Sequence, residues 1–186
     1  PAMSIEKTSI LEMQRLTTEE YHTAPKVPLT ILLDNVRSMH NVGSIFRTAD
    51  AFRLEELILV GITGCPPHPL IYKTAIGAEE AVPWRHLGSA IELLEHYRQE
   101  GRTILALEQT HQSIILGNQP PLEDRGAVLI VGNEVHGVSD EVIQYADYCL
   151  EIPQYGTKHS LNVSVATGIA IYDLCTPYLE THHSLD

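Results

Sequence analysis

Short apolar runs that alternate with amphipathic stretches constrain this chain more than any other feature. Leu29–Leu33 is one such run and suits a buried strand. From Asn41 to Phe52 the residues Val42, Ile45, Phe46, Ala49 and Phe52 recur at helical spacing, and Leu57–Val60 is a second buried strand. Strand, helix and strand at this spacing make a βαβ unit, whose two strands must run parallel because the crossover returns the chain to its starting edge. Thr103–Leu107, Ala127–Val131 and Tyr148–Ile152 continue the series. Helices are expected from Ser89-x-x-Glu92 to Gly101, after Ser139 with Asp140 and Glu141 in the first turn, and over Leu161–Leu174. The fold class is therefore α/β, a mainly parallel sheet flanked by helices.

The organisation along the chain follows. Residues 1–28 form an N-terminal arm, helical over 4–23, in which Thr17-x-x-Glu20 has capping-box spacing and after which Pro25 and Pro28 interrupt. Residues 29–180 form one domain and 181–186 a polar tail. Residues 61–81, with Gly61, Gly64, Pro66, Pro67, Pro69 and Gly77, read as a long loop, and loops of that length tend to be functional.

At 186 residues, 44% hydrophobic and 19% charged, the chain can build a single core and is neither disordered nor coiled coil. No apolar run approaches the ~20 residues that cross a bilayer. Pro1–Arg15 lacks a basic segment followed by an apolar one, so no secretory signal is expected. Cys65, Cys149 and Cys175 are odd in number and far apart, which points to free thiols in a reducing, cytoplasmic setting. The ten histidines show no paired ligand spacing, so no metal is expected, and His182 and His183 read as solvated tail residues.

The formal charge of −12 argues at first against a polyanionic partner. It is unevenly spread: residues 1–78 hold 7 basic and 8 acidic side chains, residues 79–186 hold 5 and 16. An anionic partner should meet the first part of the chain, with affinity that is specific more than salt-driven.

Three polar clusters follow strands, where open α/β sheets bind ligands. They are Asp34–Arg47, Gly132–Ser139 and Ile152–Ser164. Turn chemistry alone accounts for much of each, and Arg47 is also compatible with a surface cation on an amphipathic helix. Asn162 and Ser164 stand on an otherwise apolar helix, where polar groups need partners if buried; pairing to each other or to a neighbouring backbone would suffice. No GxGxxG, GxxxxGK[ST] or GxSxG is present, which removes the dinucleotide fingerprint, the triphosphate loop and the nucleophile elbow. Glycines at these turns let a ligand approach the backbone closely, as an adenosine-like group requires. The residues alone lead to a three-loop pocket with one key arginine and one glutamate.

The clusters also carry a resemblance. LDNVRSMHNVGSIFRTADAF resembles motif 1 of the SpoU/TrmH-type RNA ribose methyltransferases of the SPOUT class, VGNEVHGVSDE resembles motif 2, and IPQYGTKHSLNVSVATGIAIYDL resembles motif 3. Together they span about residues 30–174 in the family's order, with Gln154 where Met is common and Arg53 where Gly is common. The resemblance implies S-adenosyl-L-methionine-dependent methylation of a ribose 2'-oxygen in tRNA or rRNA, a C-terminal trefoil knot and a homodimer. A silent RNA-binding protein of this fold and a base-directed methyltransferase are the alternatives.

Carried over by motif, the cofactor residues would be Leu107, Glu108, Val131, Gly132, Asn133, Glu134, Gly137, Ile152, Pro153, Gln154, Ser160, Leu161, Asn162 and Val163. Arg47, Asn41, Glu134, Ser160 and Asn162 would lie nearest catalysis. Arg37, Arg47, Lys73 and Lys158 are the candidate RNA contacts. Arg47 is assigned in such families to activating the 2'-hydroxyl, yet a guanidinium is a poor base, so an anchor for phosphate and developing alkoxide charge is the better role. Asn41 would orient Arg47 or the ribose, and Glu134 would hold a loop amide or Arg47. The motifs do not require His40 or His159 as proton shuttles.

Overall fold

The computed structural model describes residues 3–182. Seven strands form one sheet: β1 (Val27–Asp34), β2 (Leu54–Val60), β3 (Trp84–Leu87), β4 (Thr103–Leu107), β5 (Ile114–Ile115), β6 (Ala127–Val131) and β7 (Tyr148–Glu151). All neighbours are parallel, in the order β3-β2-β1-β6-β4-β7-β5. β6 thus enters between β1 and β4, and β7 between β4 and β5. The helices are α1 (Thr18–Thr23), α2 (Met39–Ala51), α3 (Pro69–Ala75), α4 (Ala78–Ala81), α5 (Ile91–Gln99), α6 (Asp140–Ile143) and α7 (Val163–Thr181).

The continuous apolar runs are explained by burial on both faces, as parallel sheets require. Leu29, Ile31 and Leu33 of β1 pack with Phe46, Ile71 and Ile171 on one face, while Leu32 packs with Leu94, Tyr97 and Val142 on the other. At the amino ends of the strands, Arg102 pairs with Glu55, donates to Thr30 Oγ1 and the Ala127 carbonyl, and lies over the Tyr97 ring. That end of the sheet is closed by structure, which leaves the carboxyl ends for a ligand.

Several sequence expectations need correction. The arm is helical only over Thr18–Thr23, where the Thr17–Glu20 capping box forms. Ile5, Ile10 and Leu11 before it are exposed, and an apolar stripe without a surface to cover gives a short helix no support. Tyr21 is buried and donates to the Leu54 carbonyl at 2.7 Å, so the end of the arm belongs to the core. The expected loop over 61–81 contains α3 and α4; Pro69 at the first helical position, capped by His68, was the signal. α5 starts at Ile91 with Ala90 as its cap residue, and Gly101 follows its end with φ +75°.

Edge strands β3 and β5 escaped the reading because an edge needs no long apolar run. Arg53 occupies a left-handed conformation (φ 53°), which glycine adopts at less steric cost. His182 caps α7 and stacks on Tyr178 at 3.8 Å instead of standing free in solvent; His183 lies outside the described residues. Among the described residues no helix is long and apolar enough to cross a membrane, and no cluster of metal-ligating side chains occurs.

One close packing fixes motif 1. Gly43 of α2 faces α3, and a Cβ there would collide with the Ile71 carbonyl oxygen and the Thr74 hydroxyl, which donates to the His40 carbonyl at 2.9 Å. Gly43→Ala should gain helix propensity yet destabilise overall by about 1–3 kcal/mol, because backbone must move. A lowered urea midpoint with unchanged denaturant dependence is the expected measurement.

Candidate functional site

Three loops converge where the order of the strands reverses around β6. The first follows β1. Asp34, 2% exposed, accepts the Ser139 amide at 2.8 Å and the Asn35 side-chain amide at 3.1 Å. Asn133 donates to the Asn35 carbonyl at 2.8 Å, so the end of β1 is stitched to the loop after β6. That second loop is a tight one. Asn133 and Gly137 exchange backbone hydrogen bonds at 2.9 Å, and Asn133 Oδ1 accepts the Val135 and His136 amides. Gly137 has φ +69°, and a Cβ on Gly132 would run into the backbone of Gly137 and Val138. Both positions therefore require glycine.

Glu134 projects from this loop onto motif 1. Its carboxylate accepts the Arg37 and Ser38 amides, each at 2.9 Å, and the Asn41 side-chain amide at 3.1 Å. Asn41 Oδ1 in turn accepts from Asn162 Nδ2 at 3.2 Å. Asn162 is the cap residue of α7: its Oδ1 accepts the Ser164 amide at 2.9 Å, the Ser164 hydroxyl at 2.6 Å and the Val165 amide at 3.3 Å. A chain Glu134–Asn41–Asn162 thus ties motif 2 to motif 1 and motif 1 to motif 3. Asn162 and Ser164 pair with each other, one of the two outcomes open in the sequence, and Asn162 is exposed, not buried. Of the roles open to Glu134, holding loop amides is the one realised. Asn41 is engaged with Glu134 and Asn162, not with Arg47.

A cleft of about 860 Å³ opens beside this junction, within the range of roughly 300–1,000 Å³ typical of small-molecule sites. Its lining includes every residue assigned by motif to the cofactor except Pro153. Leu107, Val131, Leu150, Ile152, Leu161 and Val163 give apolar walls at the strand ends. The charged lining residues are Glu108, Glu134, Asp140 and Glu151, with no lysine or arginine. Such a donor set disfavours a polyphosphate and suits a ligand with an apolar body and net positive charge.

Other candidates lie elsewhere. Arg47 and Asn41 do not line the cleft; Arg47 is exposed on α2, and Lys73 is exposed on the adjoining α3. Arg37 is exposed beside Glu134, and Lys158 is exposed in the loop after β7. His159 and Ser160 line the cleft, whereas His40 does not. Sequence reasoning missed Gln109, Thr110, His136, Val138, Asp140 and Ala166, which also line it. For Gln109 and Thr110 the signal was available, since they directly follow the carboxyl end of β4.

Partial burial of Glu134 opposes its charge, but the amides of Ser38 and Arg37 and the Asn41 side chain outweigh it and hold the carboxyl below the usual value of 4.5. A lowered native value means the stabilisation is complete above that unfolded value and disappears as pH falls through the native one. The difference in melting temperature between the wild type and Glu134→Gln should therefore be constant above about pH 4.5 and shrink below it.

Comparison with known proteins places the chain. The profile of the SpoU rRNA Methylase family matches residues 28–172. The chain is 31% identical over 151 residues to the 23S rRNA (guanosine-2'-O-)-methyltransferase of Pseudomonas putida, covering 78% of this chain and 58% of that one. It is also 31% identical over 165 residues to the tRNA (guanosine(18)-2'-O)-methyltransferase of Aquifex aeolicus, covering 88% and 76%. Among solved structures, the TrmH/SpoU tRNA modifying enzyme of A. aeolicus superposes with a TM-score of 0.79 at 29% identity, covering 90% of this chain and 83% of that one. The AdoMet-bound rRNA methyltransferase of Sinorhizobium meliloti gives 0.74 at 29%, covering 81% and 57%. The chain spans only about 58% of the Pseudomonas relative's length. Match and fold together establish that it belongs to the SpoU rRNA methylase family.

Proposed function

We propose that this protein transfers a methyl group from S-adenosylmethionine to a ribose 2'-oxygen of tRNA or rRNA. The observation that carries the proposal is the convergence of all but one of the motif-assigned cofactor residues on one cleft, pinned by the Glu134–Asn41–Asn162 chain. Relatives whose names specify guanosine 2'-O-methylation of 23S rRNA and of tRNA support it. So does an AdoMet-bound structural relative.

The cleft fits this cofactor: apolar walls for the adenosine, loop backbone for its polar edge, and carboxylates without basic side chains around a sulfonium. When bound, the cofactor supplies an already activated methyl. Leu107, Val131 to Glu134, Gly137, Ile152 to Gln154 and Ser160 to Val163 would hold it. The protein's task is then alignment of the 2'-oxygen and stabilisation of its developing charge, for which fixed geometry is worth several kcal/mol. The Glu134–Asn41–Asn162 chain keeps the loops in register, and Arg47 anchors phosphate and alkoxide. Arg37, Lys73 and Lys158 extend the contact to RNA, in keeping with the nearly neutral first 78 residues.

Arg47 lies off the cleft of its own chain, and a homodimer resolves this. α7 is apolar on both faces: Ala170, Ile171 and Leu174 face the core, while Val165, Ile169 and Tyr172 are 52%, 42% and 63% exposed at helical spacing. This stripe begins near the cleft and runs beside α2, where a Cβ added to Gly168 would stand 4.0 Å from the Thr48 methyl and Phe52 meets Tyr172 edge-to-face at 6.1 Å. Pairing two copies through it would carry Arg47 toward the partner's cleft. The family resemblance supports a trefoil knot around the same segments, and the three free thiols support a cytoplasmic setting.

Calorimetry with S-adenosylmethionine and nucleoside mass spectrometry of RNA from cells with and without the gene test the reaction. Heat of binding and loss of one 2'-O-methylnucleoside are expected; no binding refutes the enzyme, and a lost base methylation redirects it. Arg47→Lys should lower turnover about a hundredfold with cofactor affinity unchanged, because charge remains but the planar fork does not. Ile169→Asp should give a folded monomer by sedimentation velocity; a wild type that is already monomeric would overturn the dimer.

A further inference from the structure

The two residues after β4 grip both other loops. Glu108 Oε2 accepts the Val138 amide at 3.0 Å, and its Oε1 accepts the Gln109 amide at 3.0 Å. A Cβ on Gly137 would collide with this carboxylate, so glycine there lets the loop after β6 settle against it. Gln109 reaches the other way, donating from Nε2 to the His159 carbonyl at 3.3 Å.

Among the described residues, that is the only hydrogen bond holding 153–161. The segment has no helix or strand, and residues 155–161 are all exposed. Its ends are fixed, at β7 by the pairing of Glu151 with Ile115 and at Asn162 by Asn41. Between those anchors a free span would sample many conformations, since fixing each residue's backbone costs about 1–2 kcal/mol of conformational entropy. His159, Ser160 and Leu161 nevertheless line the cleft.

We propose that Gln109 is a positioning residue whose carboxamide clasps the His159 carbonyl and so holds Ser160 and Leu161 against the bound cofactor. The proposal rests on reading the cleft as the S-adenosylmethionine site. Gln109 is itself exposed, so its bond organises the loop without supporting the core. Glu108 and Gln109 then act as a pair: one fixes motif 2, the other motif 3.

Gln109→Ala removes the donor and Gln109→Glu replaces it with an acceptor of equal length. Each variant, as full-length protein, is compared with the wild type for trypsin cleavage after Lys158, S-adenosylhomocysteine affinity by calorimetry, and melting temperature. Both should be cut at Lys158 several-fold faster and bind about three- to tenfold more weakly, the equivalent of one ordinary hydrogen bond, with unchanged melting temperature. Unchanged cleavage and affinity would overturn the clasp. So would a fall in melting temperature that accounts for the weaker binding, which would make Gln109 merely structural. If the wild type binds neither S-adenosylmethionine nor S-adenosylhomocysteine, the reading of the cleft fails, and the Lys158 cleavage rates alone decide the clasp.

Discussion

The carboxylate of Glu134 is the interaction on which the site depends. It accepts two consecutive backbone amides and one side-chain amide from motif 1, and so joins segments almost a hundred residues apart in the chain. Neutral partners hold it, not a cation. Charge-assisted bonds to amides are strong and directional, and they leave the nearby arginines free to serve something else. Asn41 passes the constraint to Asn162, which in turn starts α7. The helix that covers one face of the sheet and the loops that shape the cleft are therefore placed by a single polar chain.

This polar chain sits on a sheet whose order prepares it. β6 lies between β1 and β4, so the carboxyl ends of strands that are distant in sequence become neighbours, and the loops they carry meet. Asp34 and Asn35 secure that meeting from below through the Ser139 amide and the Asn133 side chain. The acidic half of the sequence acquires a location as well. Its carboxylates at Glu108, Asp140 and Glu151 line the cleft, while Arg47 of α2 and Lys73 of α3 are exposed outside it. The uneven charge of the chain is thus a spatial division between an acidic cleft and the more basic surface of α2 and α3.

The central strands and α2 were legible because burial on both faces writes itself as apolar runs, and helix periodicity survives in Val42, Ile45, Phe46 and Ala49. The loops that line the cleft were legible through motifs whose glycines are required sterically. Edge strands β3 and β5 were not, since exposed residues such as Arg85 and His86 carry no apolar signature. Nor was the helical character of 69–81, where Gly and Pro content suggested a loop although Pro69 stands where a helix accepts it. The partner choice of Asn41 was hidden for another reason. Which of several nearby polar groups an amide meets depends on tertiary geometry, and sequence spacing says nothing about contacts 121 residues apart.

The insertion of β6 and β7 into positions interior to the sheet has a consequence for how the molecule is made. A ribosome releases β1 to β5 first, and these five strands cannot form the final sheet, because β1 and β4 each lack the neighbour that lies between them. Until Val131 has emerged, β1 and β4 present unpaired backbone edges lined by apolar side chains, the kind of surface that invites association with other chains. The nascent protein must keep that gap open and shielded, then admit two later strands and the helix that follows. Synthesis from one end makes the junction of the three loops the last part of the molecule to exist.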